Sequence, residues 1–149
     1  VSTTSTRTLV RDALAKGFEN LKRAGTGRVK DFAISLRWIH EQESIQSNTV
    51  CIVTTDETRT AQTLTHDAYD LQATVVLYVN DPTDPRAMLD AMIEDAIETV
   101  WLVAPSLKEW AWNFTLSEIT TDDATKAAGP WAQALLRWAV SHRRMRATV

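Results

Sequence analysis

Toward its C-terminus the chain alternates. Leu136, Trp138, Val140 and His142 occupy even positions, and Arg137, Ala139, Ser141 and Arg143 stand between them. A period of two over this length is the signature of a half-buried strand, with one face turned to a core. Trp131, Leu135 and Trp138 also fit a helical spacing, so the segment has two local readings. Alternation over consecutive residues favours the strand.

Upstream, the periodicities switch. Thr6 to Ala24 carries Val10, Leu14, Phe18 and Leu21 as one helical stripe. Ser5 or Thr6 can cap its first amides, and Gly25 can take the left-handed turn that ends it. From Val29 to His40, Phe32, Ile34, Leu36 and Trp38 alternate with polar or small residues, which predicts a strand. A second strand starts near Thr49 and runs through Val50-Cys51-Ile52-Val53 into a threonine-rich arm. Leu71, Ala73, Val75, Leu77 and Val79 place one face of a third strand inward, so the two strands and the arm form a long antiparallel hairpin. Pro85 suits the first position of a second helix with Asp84 as its cap, and Leu89, Ile93, Ala96 and Val100 are its buried stripe. Trp110, Trp112, Phe114 and Leu116 predict a fourth strand, followed by an acidic loop and the closing one. The expected fold is α/β in the α+β sense, a mostly antiparallel sheet of four or five strands against two main helices. Residues 1–149 are expected to form one domain.

Composition narrows function by exclusion. The net charge of −3 argues against general nucleic-acid affinity, which draws on Lys and Arg displacing counterions. No apolar run approaches the roughly 18 residues that span a bilayer. The polar start, Val1 to Thr6, lacks the apolar centre of a secretory signal, so a cytosol-like compartment is expected. The single cysteine, Cys51, allows no internal disulfide and reads as a buried small hydrophobe.

Signals for catalysis are weak. His40, His66 and His142 are scattered without zinc-ligand spacing. No Gly-x-Ser-x-Gly elbow occurs, and Gly25-Thr26-Gly27 lacks the downstream residues of a phosphate loop. Asp90, Glu94 and Glu98 stack on one helical face, opposing one another by about 0.2–0.5 kcal/mol per pair. They form either a solvated outer face or a contact for a basic neighbour. A carboxylate-dependent hydrolase or nuclease would centre on Asp90, Glu94 and Asp122/Asp123. No cofactor, metal site or catalytic residue is predicted. Six tryptophans exceed what one sheet with two helices can enclose, which directs one or two of them to subunit contacts. Candidate contact residues are Thr58, Arg59, Thr60 and Gln62 on the arm, Trp110 and Trp131, and the terminal Arg143 and Arg144.

The order of these elements resembles the tail terminator (tail completion) proteins of tailed bacteriophages, of the lambda minor-tail-protein kind. The likeness is best from Asp70 to Arg144: a strand over Leu71 to Val79, a helix over Asp84 to Val100, a strand over Trp110 to Ile119, then Asp122-Asp123, Gly129-x-Trp131 and the closing strand. The chain departs from the pattern at Ser47-Asn48-Thr49, where the family proline is missing. The resemblance implies a structural virion protein and not an enzyme. Such proteins form a ring, typically of six subunits, on the head-proximal end of the tail tube, stop tube polymerisation and offer a surface to the neck or connector. Genomic DNA passes through the lumen without specific binding. The implied partners are other copies of the chain, the tube protein and the neck protein. The implied location is the virion tail, assembled in host cytoplasm. Another ring-forming neck or head-completion protein is the structural alternative.

Overall fold

The computed structural model describes residues 5–37, 47–62, 66–107, 111–122 and 131–145. Its elements run α1 (Thr6–Ala24), β1 (Ala33–Ser35), β2 (Thr49–Gln62), β3 (His66–Asn80), α2 (Pro85–Val103), a 3-10 turn (Ala104–Leu107), β4 (Ala111–Asp122) and β5 (Trp131–Met145). This is the mixed α/β fold expected: five strands in the order β1-β2-β3-β5-β4, with two helices. β1 pairs with β2 in parallel and every other pair is antiparallel.

Local chemistry sets the helix ends. Ser5 Oγ accepts from the Thr8 amide, and Gly25 closes α1 at φ 65°, donating its amide to the Leu21 carbonyl. Asp84 Oδ1 accepts from the Ala87 amide, and Pro85 opens α2 where no amide partner is needed. Both helices lie on one face of the sheet, α1 over β2 and β3, α2 over β3 and β5, and they pack against each other. Gly17 permits that close approach. A Cβ there would stand 2.4 Å from Val103 Cγ2.

The core fills the space between. Val50, Ile52, Leu71, Val75, Leu77, Leu136, Trp138 and Val140 from the strands meet Val10, Leu14, Phe18, Leu89, Ile93, Ala96 and Val100 from the helices. β5 has neighbours on both sides and from Ala132 to His142 alternates strictly between buried and half-buried positions, as its sequence predicts. Cys51 is buried on the opposite face, beside Val76 and Tyr78. Burial pushes the Tyr78 phenol above its ordinary value of 10, with a smaller contribution from Cys51.

The strand expected over Val29 to His40 is pairing only at Ala33–Ser35; Trp38 and His40 lie outside the described residues. The strand's expected first residue is taken by a carboxylate 66 residues away. Asp95 accepts from the amides of Arg28 (3.1 Å) and Val29 (3.0 Å), so those groups serve a loop-to-helix clamp and not a ladder.

Candidate functional site

Two surfaces carry the residues that sequence singles out. The first is the far end of the sheet. Residues Thr58, Arg59, Thr60 and Gln62 lie in the outer half of β2 and are exposed. Arg59 pairs across to Tyr69 and Gln62 to Asp67, while Tyr69 in turn opposes His142 and Asp67 opposes Arg144. The arm is therefore the outer end of three adjacent strands and not a free appendage. Arg143 is exposed there, and the backbone of Arg144 lies in β5.

A register shift between Thr54 and Glu57 shapes this end. Up to Thr54 the even residues of β2 face the helices. After the shift Glu57 does, because a bulge changes the parity of a strand and re-aims the next side chain. Its carboxylate accepts from Arg7 Nε at 2.7 Å and lies 3.2 Å from Nε2 of His142. Arg7 Nη2 also donates to the Thr55 carbonyl. His142 is fully buried and stacks on Tyr69, with ring centroids 5.8 Å apart and planes at 20°. On the other face Ser141 Oγ donates to Asp70 at 2.8 Å. Glu57 thus joins the start of α1, the arm and the end of β5.

The second surface is the outside of α2. Asp90 and Glu94 are exposed, whereas Glu98 is engaged by Arg28 through two bonds, at 3.0 and 2.9 Å. That hydrogen bonding holds the Glu98 carboxyl below its ordinary value of 4.5 and the Arg28 guanidinium above its own. Asp95, one position past Glu94, is 5% exposed and completes the clamp with Arg28 Nη1 at 3.0 Å. The basic neighbour of this acidic helix thus comes in part from the same chain.

The candidate contact residues do not form one patch. Trp131 opposes Asn80 at one end of the sheet and Arg143 opposes Ala68 near the other, about 40 Å apart at strand rise. Trp110 and Asp123 lie outside the described residues. Trp101, expected at a helix end, is 70% exposed, and Leu102 is more so. A cavity of about 450 Å³ between the helices is lined chiefly by Ala13, Gly17, Leu21, Leu102 and Val103, with Lys16 as its one charged lining residue. Among the described residues no group of three or more His, Cys, Asp or Glu is placed to hold a metal ion.

Sequence reasoning missed the two clamps. Helical phase could have shown Asp95: it lies 100° from Glu94, beside the buried Met92 and Thr99 and not on the outer stripe. Nothing local announces that Glu57 pairs with Arg7 and His142, because a bulge decides it.

No known protein-family model matches the chain, and no curated protein matches it.

Proposed function

We propose that this protein is a structural component of a phage virion. It forms a ring, of six subunits, on the head-proximal end of the tail tube, stops tube polymerisation and presents a joining surface to the neck or connector. The observation that carries the proposal is the sheet order β1-β2-β3-β5-β4. It places β1 and β2 at one margin and β4 at the other, two dissimilar surfaces of the kind that a head-to-tail ring joins. The element order that underlies the resemblance agrees with it, from the leading helix through the long hairpin, α2 and the last two strands. The net charge of −3 suits a conduit through which DNA slides without being held. Among the described residues no helix is long and apolar enough to cross a membrane. The function needs no catalytic residue or cofactor.

Electron microscopy of particles assembled without the protein tests this. Overlong or headless tails are expected. Unstable filled heads beside tails of normal length would reassign the protein to head completion.

A further inference from the structure

Both margins of the sheet expose large apolar side chains. On α2, residues 90, 94, 97 and 101 share one stripe, since steps of four, three and four return to the same flank of a helix. Leu102 and Thr99 line the groove against α1, so this stripe lies on the flank away from α1. With α1 over β2 and α2 over β5, that flank faces the β4 margin. It carries Trp101, half-buried Ile97, and exposed Asp90 and Glu94, with Arg86 one turn earlier. β4 continues the surface. A register shift between Leu116 and Glu118 turns Ile119 to the helix side, opposite Leu136, yet it stays 44% exposed. Glu118 is not available to a neighbour on the same terms, being bound to Arg137 at 2.7 Å.

At the other margin Leu36, 41% exposed, follows directly on β1; exposed Arg37 is next to it, exposed Lys30 precedes β1, and exposed Arg59 lies further along β2. Asp31 and Asp56 are acids there, Asp31 lying 3.8 Å from Lys22, and the flank of α1 above, which carries Lys22, adds exposed Glu19 and Asp12.

We infer that the Trp101–Ile119 flank of one copy docks against the Leu36 margin of the next copy, with Asp90 and Glu94 facing Lys30 and Arg37. This rests on the proposed ring and assigns its subunit interface. Complementarity is of two kinds. Exposed Trp, Ile and Leu supply an apolar centre of the type that dominates binding energy, and opposite charges at the rim fix orientation and disfavour like-to-like pairing. The two surfaces sit at opposite margins of one sheet, so the contact is heterologous and each copy keeps one of each for its neighbours.

The test uses two variants, Trp101→Lys and Leu36→Lys, each changing an exposed side chain on one margin. Sedimentation velocity and thermal melts are run with and without tail tubes. Expected is a wild type that assembles into rings, and two variants that melt as wild type but stay monomeric. Mixed in equal amounts, they should stop at dimers, since each supplies the margin the other lacks. Glu94→Lys and Arg37→Glu provide a second pair should a tryptophan or leucine replacement lower the melting temperature; each should be monomeric alone, and because their reversed charges match one another the mixture should assemble past the dimer. Variants that assemble as wild type, or a mixture that stays monomeric, overturn this pairing while leaving the ring intact. A wild type that is monomeric even on tubes overturns both.

Discussion

Asp95 is a buried carboxylate that ties the chain after α1 to α2. Its carboxylate gathers two backbone amides and a guanidinium, and its own carbonyl accepts from Thr99 Oγ1 at 2.7 Å. Hydrogen bonds to a charged group contribute about 1.5–3 kcal/mol net of exchange with water, non-additively where they share one carboxylate, and orphaned buried amides add to the loss. Asp95→Ala should therefore destabilise by about 2–4 kcal/mol in denaturant melts, while Asp90→Ala, exposed on the same helix, should fall within about 0.5 kcal/mol of wild type. Glu98 behaves differently because it is exposed. Its carboxyl is held below 4.5 by Arg28, so the folded state binds fewer protons than the unfolded one through this range. Its contribution is complete above pH 4.5 and disappears as pH falls through the lower folded value. A carboxyl carbon NMR titration should place its midpoint below the ordinary glutamate value of 4.5, and Glu98→Gln should remove the corresponding acid-side slope of stability.

At the level of elements, the register shift in β2 matters most. It turns Glu57 toward Arg7 and His142 and so ties three segments that are distant in sequence. Removing the carboxylate leaves a buried imidazole beside a half-exposed guanidinium. Glu57→Ala should cost about 1–3 kcal/mol, the lower part of the range for a broken buried pair because Arg7 is 40% exposed. Amide hydrogen exchange should quicken in residues 56–62 and 66–70 well beyond the global change. Equal acceleration throughout the sheet would show that the clamp acts only on global stability. What was legible in the sequence follows from the same distinction. Ser5, Gly25, Asp84 and Pro85 act within one turn of their own position, and the helix ends could be read directly. The buried alternation of Leu136, Trp138, Val140 and His142 survives because β5 has no register shift. Phe32 and Ile34 also alternate, yet among the described residues β1 pairs over only Ala33–Ser35, and the amides of Arg28 and Val29 go to Asp95. The arm reads as a polar projection, but its Glu57 belongs to the inner structure.

For the whole molecule, hydrophobic period tells which face of a strand is buried but not which strand lies beside it. The α+β class was therefore readable, and the insertion of β5 between β3 and β4 was not. That insertion leaves β4 at one margin and β1 with β2 at the other, the arrangement on which a ring-forming role depends. Candidate contacts chosen by residue type alone fell at both ends of the sheet. Exposure on the folded chain, with Trp101, Ile119 and Leu36 standing out, is what places the inferred interface at its margins. The most direct measurement is negative-stain electron microscopy of the purified chain mixed with tail tubes. Closed rings of six subunits seated on one end of each tube are predicted. Bare tube ends, with the chain monomeric beside them, would contradict the assignment.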